Sequence, residues 1–208
     1  MLDNIEVLIH SSIKFSKDII IYFDPYKINK EYHDADIIFI THSHYDHYSP
    51  LDIKKVIKDN TIVVCPKDVK EELLKLDINN IIEVVPNKDY EVLNIKFKTI
   101  PAYNINKNFH PKENNWVGYL INYNNVKYYI AGDTDITEEN KNIICDVAFV
   151  PIGGTFTMDY KEAASLINEI QPKIVVPTHY GLIVGNKDDG IKFSKLLNNS
   201  IECKIYIK

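Results

Sequence analysis

The sequence of 208 residues predicts an α/β fold in which two sheets pack face to face, with helices outside them. Strand-like apolar segments occur in both halves of the chain, and each half ends in strand–helix–strand units. The chain has no linker rich in glycine or serine, no run of like charge and no short-period repeat. We therefore expect a single domain that covers residues 1–208.

The first half of the chain predicts short strands and two helices. A continuous apolar run at residues 37–40 is typical of a strand that is buried on both faces. Ser49 as N-cap and Pro50 in the first turn predict a helix that follows this strand. In chain order we predict strands over residues 5–9, 18–23 and 37–40, a helix over 50–59, a strand over 61–65, a helix over 67–76 and a strand over 81–85.

The second half begins with a long extended segment and continues with a loop. Residues 103–115 are rich in Asn, Lys and Pro and have little periodicity, which predicts a loop. Asn124-Asn125 between two apolar segments predicts the turn of a hairpin. In order we predict strands over residues 89–100, 117–123, 126–130 and 146–150, a helix over 159–170, a strand over 173–176, a helix over 191–197 and a strand over 201–207.

Composition limits the class of protein. Apolar residues make up 45% and charged residues 25% of the chain, which excludes disorder, collagen and coiled coil as descriptions of the whole. No stretch approaches the roughly 18 apolar residues of a membrane span. The N-terminal segment carries acids and no early lysine, unlike a secretory signal, and three cysteines make no disulfide framework. These features predict a cytoplasmic protein without a membrane span.

The charged residues argue against a nucleic-acid partner. The net charge is −5, and all 24 basic residues are lysine. Without arginine the chain lacks the guanidinium group that binds phosphate or guanine through two parallel hydrogen bonds. An acidic chain also lacks the basic surface that a nucleic-acid-binding protein needs. We expect a small-molecule substrate instead.

One segment carries the strongest chemical signal, Thr41-His42-Ser43-His44-Tyr45-Asp46-His47. Three of the seven histidines of the chain fall within six residues, between a predicted buried strand and a helix. His42 and His44 are two positions apart, so they can converge on one cation. Asp46 and His47 follow where a second cation could bind, about 3.5–4 Å away. Neutral imidazole and carboxylate are ligands for Zn²⁺, and also for Fe and Mn.

This segment resembles the His-x-His-x-Asp-His signature of the metallo-β-lactamase fold superfamily. Later segments resemble further motifs of the superfamily in the expected order: Gly132-Asp133-Thr134, the loop from Gly153 to Asp159, and Pro177-Thr178-His179-Tyr180-Gly181. The Gly153 loop and the opening His10-Ser11-Ser12 are similar to one branch. That branch includes small uncharacterised hydrolases and relatives of ascorbate-6-phosphate lactonase and of N-acyl-phosphatidylethanolamine phospholipase D.

The resemblance implies a four-layer αββα sandwich of two mixed sheets, and a hydrolase that uses a metal-bound hydroxide. It implies two ions, with zinc expected and Mn or Fe as alternatives. His42 and His44 would bind one ion, Asp46, His47 and His179 the other, and Asp133 would bridge them, so that Asp46 and Asp133 also act in catalysis. The substrate would be a small phosphodiester, a lactone or a related ester.

The chain departs from the branch at one position. Asn104, in Pro101-Ala102-Tyr103-Asn104, stands where the branch usually has a histidine, and an amide oxygen is a poor transition-metal ligand beside imidazole. His110 follows six positions later. Either His110 completes the first metal site and acts in catalysis, or that site holds only two histidines with Asp133. We favour His110 near the site.

Four residues are candidates for supporting the ligands from outside: Asp24, His10, Asn104 and Tyr103. Outer carboxylates orient imidazoles and raise their basicity.

Two other functions stay open. A nuclease or cyclic-nucleotide phosphodiesterase would need lysines near the cleft, for example Lys107 and Lys112. A non-catalytic metal-binding or regulatory module would follow if the first metal site were incomplete. The sequence does not indicate the oligomeric state.

Overall fold

The computed structural model describes residues 1–207, which form two compact units, residues 1–85 and the part of the chain from Pro86 onward. Each unit contains one sheet. The single domain expected over residues 1–208 stays a prediction. Among the described residues, no helix has the length and apolar character that crossing a membrane requires.

The sheet of the first unit has six strands in sequence order, antiparallel from β1 to β3 and parallel from β3 to β6. All three residues of β4 are buried, as expected for a strand covered on both faces. The elements are β1 Ile5–Ile9, β2 Ser12–Ser16, β3 Ile20–Phe23, β4 Ile37–Phe39, α1 Pro50–Val56, β5 Ile62–Cys65, α2 Lys67–Leu74 and β6 Ile81–Glu83.

Strand β2 was missing from the sequence prediction. It alternates the polar residues Ser12, Lys14 and Ser16 with Ile13 and Phe15, both of which are buried. Two apolar positions are too few to produce a clear period-2 signal. The β1–β2 turn passes through His10, which has a left-handed backbone with φ of 54°. This turn places a buried histidine at the end of the first strand.

Helix α1 is held to the loop after β3 by one buried carboxylate. Ser49 caps the helix as predicted, accepting a hydrogen bond from the Asp52 N–H. Asp52 accepts hydrogen bonds from the backbone N–H groups of Lys27 at 2.8 Å and Ile28 at 3.0 Å, and from the Lys55 ammonium at 2.9 Å. The helix that follows the histidine-rich segment is therefore anchored to the chain that follows β3.

The second unit has a seven-stranded sheet in the order β13-β12-β11-β10-β9-β8-β7, antiparallel from β7 to β10 and parallel from β10 to β13. Its elements are β7 Asp89–Val92, β8 Ile95–Pro101, β9 Val117–Tyr123, β10 Val126–Ile130, β11 Val147–Pro151, α3 Tyr160–Ile170, β12 Ile174–Thr178, α4 Asp189–Ser194 and β13 Glu202–Cys203, with short 3₁₀ helices at Lys112–Asn114 and Asn140–Asn142.

Two predicted strands of this unit differ from the structure. The segment predicted over residues 89–100 is a hairpin, because Leu93 and Asn94 have left-handed backbones (φ 46° and 64°) and reverse the chain. The final strand is only two residues long. The turn at Asn124-Asn125 is confirmed, with φ of 51° and 60°. Asparagine tolerates this region better than most residues do.

Helix α3 packs on the sheet of the second unit through a short apolar stripe. Asp159 caps it in a capping box with Glu162. Ala163, Leu166 and Ile167 are fully buried and share an apolar cluster with residues of β11 and β12. Both sheets of the chain are mixed and helices accompany each, so the predicted α/β class with two mixed sheets is confirmed.

Replacing Asp52 with alanine should lower the free energy of unfolding by about 1–3 kcal/mol, because buried N–H groups lose their acceptor. Burial alone would raise the pKa of Asp52, but hydrogen bonds from Lys55, Ser49 and the backbone hold it below its ordinary value. A lowered pKa stabilises the fold above the ordinary carboxyl pKa of about 3.9, and this stabilisation disappears as the pH falls through the lowered value.

Urea unfolding at pH 7 and at a series of acid pH values measures this effect, with the exposed Asp59→Ala variant as control. The difference between wild type and Asp52→Ala should narrow as the pH falls below about 4. An equal difference at all pH values would contradict an ionised, hydrogen-bonded Asp52.

Candidate metal centre

The histidine-rich segment follows β4 directly and leads into α1. It lies at the carboxyl end of a parallel strand, where α/β sheets commonly carry their ligand sites. His42, Asp46 and His47 are buried and His44 is partly exposed. Tyr45 points outward with 65% of its surface exposed. The segment therefore buries imidazole and carboxylate groups beside an exposed aromatic ring.

Asp24 at the end of β3 orients His47. Its carboxylate accepts hydrogen bonds from the Thr41 N–H at 2.8 Å and the Thr41 hydroxyl at 2.7 Å. His47 Nδ1 lies 2.7 Å from Asp24 Oδ2 and donates to it. Burial holds the pKa of Asp24 above its ordinary value, and the bonds from His47 and Thr41 offset only part of that rise. With its proton on Nδ1, neutral His47 keeps the lone pair on Nε2 for a metal.

Thr41 orients His42 in a similar way. Its hydroxyl hydrogen goes to Asp24, so Thr41 Oγ1 accepts a hydrogen bond from His42 Nδ1 at 3.0 Å. The remaining nitrogen, His42 Nε2, lies 3.1 Å from His44 Nδ1. Two nitrogens bound to one tetrahedral zinc at about 2.1 Å would be about 3.4 Å apart. The first two histidines of the motif therefore converge closely enough to share one cation.

His10 and Asp46 form a second contact in this unit. His10 is completely buried, and its Nε2 lies 3.0 Å from Asp46 Oδ2. His10, Asp46 and His47 each offer a ligand atom, and these atoms lie within 4.8 Å of one another. His10 was expected to support a ligand from outside. Its contact with Asp46 agrees with that role, which stays a prediction.

In the second unit, one carboxylate faces two imidazoles. Asp133 follows β10 and has 3% of its surface exposed. Asp133 Oδ2 lies 2.9 Å from His179 Nε2 and 3.4 Å from His110 Nε2. His179 follows β12 with a left-handed backbone, φ 57°. Three of the predicted site residues are thus brought together by the ends of two strands and by the loop after β8.

Gly153 allows the chain to approach His179. A Cβ atom at this position would collide with the His179 carbonyl oxygen and would touch the Val184 side chain. Only glycine lets the loop after β11 pass this close to the histidine. Gly153, in the loop that resembles a superfamily motif, therefore leaves room for the backbone of His179.

The structure also brings Asn104 to His110. The Asn104 N–H donates to the His110 carbonyl at 2.8 Å, and Asn104 Oδ1 accepts from the His110 N–H at 3.0 Å. Asn104 Oδ1 also lies 3.1 Å from His110 Nδ1. Both residues are buried, and the His110 ring packs edge-on against Trp116 with the centroids 5.5 Å apart. These hydrogen bonds hold His110 beside Asn104, although the two residues are six positions apart in the sequence.

Tyr103 contacts Lys112 and also Glu139, which the sequence did not indicate. Its hydroxyl donates to Glu139 Oε2 at 2.8 Å and accepts from the Lys112 ammonium at 3.1 Å. Burial raises the pKa of Tyr103. Glu139 lies in a run of polar residues and has no sequence signal. The role of Thr41 could have been suspected, because a hydroxyl beside the first motif histidine can bond its Nδ1.

Comparisons with known proteins show which proteins this chain is similar to. A family model for the beta-lactamase superfamily domain matches residues 4–179. A UPF0173 metal-dependent hydrolase of Thermococcus onnurineus is 32% identical over 81% of this chain and 77% of its own length. A solved structure from Parabacteroides distasonis, described as a candidate metal-dependent hydrolase, has a TM-score of 0.83 and 28% identity, and the match covers 97% of this chain and 91% of that one.

Igni18, a metallo hydrolase from Ignicoccus hospitalis, matches with a TM-score of 0.77 over 97% of this chain and 93% of its own, at 20% identity. At that identity the match shows the fold alone. The chain belongs to the metallo-β-lactamase superfamily and, within it, to the UPF0173 metal-dependent hydrolases. The predicted superfamily, its fold and the class of enzyme, a metal-dependent hydrolase, are confirmed.

Changing Asp24 to asparagine should weaken zinc binding about 10- to 100-fold, the usual effect of losing a carboxylate that orients a ligand histidine. Asparagine tolerates the left-handed backbone of this position, where φ is 44°, so the fold should be kept. Calorimetric titration of the metal-free protein measures the affinity. The exposed Asp18→Asn variant is the control, and unchanged affinity in Asp24→Asn would refute the orienting role.

Proposed function

We propose that this metal-dependent hydrolase cleaves a small ester, such as a lactone or a phosphodiester, with two bound metal ions, zinc being the first choice. The contact of Asp133 with both His110 and His179 is the observation that carries the proposal. Buried imidazole and carboxylate atoms at these distances suit a divalent transition metal. The donor set therefore fits the metal that the family requires.

We propose the ligands that the motifs indicate. One ion would take His42 and His44 together with His110. The other would take Asp46, His47 and His179, and Asp133 would bridge the two. The converging nitrogens of His42 and His44 support the first group, and the His179–Asp133 contact supports the second.

Bound divalent cations would supply a water of lowered pKa and would polarise the oxygen of the bond to be cleaved. The chain's own residues would orient and move protons. His10, through its contact with Asp46, would hold that carboxylate in one orientation. His110 would donate a proton to the leaving group only in the alternative in which it does not bind the first ion. Tyr103 is better suited to positioning, because its hydroxyl proton is held by Glu139.

The surroundings of the candidate ligands support a small, weakly charged substrate. Lys107 pairs with Asp135 at 2.6 Å, and Lys112 pairs with Glu139 at 3.0 Å. Both lysines are thus largely neutralised and offer little attraction for a polyanion. Tyr45 and Phe109, each beside a candidate ligand in sequence, are 65% and 46% exposed. Exposed aromatic rings suit the organic part of an ester.

Two alternatives are less well supported. A nuclease or cyclic-nucleotide phosphodiesterase would need unpaired positive charge, which Lys107 and Lys112 do not provide. A non-catalytic metal-binding module would follow from an incomplete first site, but His110 is bonded to Asn104 and lies near Asp133. Cytoplasmic location stays a prediction from the sequence.

Replacing Asp133 with alanine should remove bound metal and hydrolase activity together, because the proposed bridging carboxylate is lost. Elemental analysis gives the metal content, and turnover is measured on a panel of lactones, phosphodiesters and thioesters after metal reconstitution. Asp188→Ala, at an exposed site of the same unit, is the control. A metal-replete, fully active Asp133→Ala protein would refute the assignment. Fully loaded wild type without turnover on any of the panel would favour the non-catalytic module.

A further inference from the structure

The orientation of the Asn104 side-chain amide follows from two partners whose roles cannot be exchanged. The backbone carbonyl of Phe156 can only accept, so the atom 2.9 Å from it is the donating Nδ2. The backbone N–H of His110 can only donate, so the atom 3.0 Å from it is the accepting Oδ1. Both partners select the same orientation of the amide.

This orientation determines which nitrogen of His110 carries the proton. Asn104 Oδ1 is an acceptor and lies 3.1 Å from His110 Nδ1, so Nδ1 must be the donor. We propose that Asn104 is a positioning residue that holds neutral His110 in the Nδ1–H tautomer and leaves the Nε2 lone pair for a metal. Asn104 would thus support a ligand six positions away and would not bind metal itself. The part of this inference that concerns metal rests on the proposed function.

Several contacts restrain His110, although it lies six positions after the place where the family usually has a histidine. The Asn104 N–H closes the loop onto the His110 carbonyl, while its side chain binds the other side of the same residue. The Trp116 ring packs against the imidazole edge-on. Nδ2 ties the same amide to Phe156 in the loop after β11. The His110 ring is therefore restrained at its backbone, at Nδ1 and on one side.

The atom that remains, His110 Nε2, points to a carboxylate. Nε2 lies 3.4 Å from Asp133 Oδ2. A lone pair on nitrogen and an ionised carboxylate oxygen repel each other unless a cation lies between them, either a proton on Nε2 or a metal ion. Holding Nδ1 as the donor leaves Nε2 as the nitrogen at which these two cations compete.

Nitrogen-15 NMR of protein labelled in histidine tests the tautomer directly. Spectra of the metal-free protein at about pH 8.5, above the usual imidazole pKa of about 6.5, distinguish Nδ1–H from Nε2–H rings. Wild type should keep a proton on His110 Nδ1, whether or not Nε2 is also protonated toward Asp133, and added zinc should shift Nε2 while Nδ1 keeps its proton. His110→Gln identifies the His110 signals. A wild-type His110 found mainly as the Nε2–H tautomer would overturn the proposal.

Variants of Asn104 separate positioning from folding. Asn104→Ala removes the acceptor, so His110 should become a mixture of tautomers and zinc affinity should fall about 10- to 100-fold. Asn104→Asp loses the donor to the Phe156 carbonyl but keeps an acceptor for both His110 donors, so it should lose stability and still keep the Nδ1–H form. Asn106→Ala, in the same loop at an exposed position, is the control and should change neither. An Asn104→Ala protein with the wild-type tautomer and affinity would also overturn the proposal.

This experiment is independent of turnover. If none of the esters is cleaved but His110 holds the Nδ1–H tautomer only when residue 104 can accept, the positioning role stands and the proposed ester cleavage fails. If esters are cleaved while His110 is an Nε2–H ring, the positioning role fails and the proposed ester cleavage stands.

Discussion

A buried imidazole must satisfy one ring nitrogen before it can offer the other to a metal. Removing a polar group from water costs free energy unless it finds a hydrogen bond, and a neutral imidazole has one donor and one acceptor. In the first unit, Asp24 satisfies Nδ1 of His47 and Thr41 satisfies Nδ1 of His42. In the second, Asn104 faces Nδ1 of His110. Each of these partners leaves Nε2 of its histidine for the proposed ligand role.

The same residues are placed by unusual backbone geometry. His10, Asp24 and His179 all have positive φ values, between 44° and 57°. Such conformations cost about 1–3 kcal/mol for residues other than glycine and persist where the surrounding structure compensates for them. Each residue lies just after a strand, where the chain must turn sharply to bring a side chain inward. Strain at strand ends and burial of polar groups therefore occur at the same positions.

The sequence predicted those parts of the fold whose signals are local. The buried strand at β4, the cap at Ser49 and the turn at Asn124-Asn125 all depend on neighbouring residues. Strand β2 was missed because it has few apolar residues. The β7–β8 hairpin was missed because its turn places Leu93 in a left-handed conformation, which leucine rarely adopts.

The candidate ligands could be predicted from the sequence because they lie in short motifs. Their hydrogen-bond partners could not be predicted, because they lie far away in the sequence. Asp24 is 17 positions from Thr41 and 23 from His47, and only the fold brings them together. Asn104 was read as a departure from the family pattern. Its bonds to His110 and Phe156 become visible only when the loops after β8 and β11 are in place. Glu139 had no pattern that would link it to Tyr103.

Anomalous diffraction from zinc-loaded crystals, with elemental analysis of the same protein, tests the metal assignment most directly. We expect two zinc ions per chain, with Asp133 touching both, His42 and His44 on one ion, and His47 and His179 on the other. His110 Nε2, and not Asn104, should complete the first site. Crystals with full zinc content and no anomalous peak beside His42, Asp133 or His179 would contradict the proposed centre.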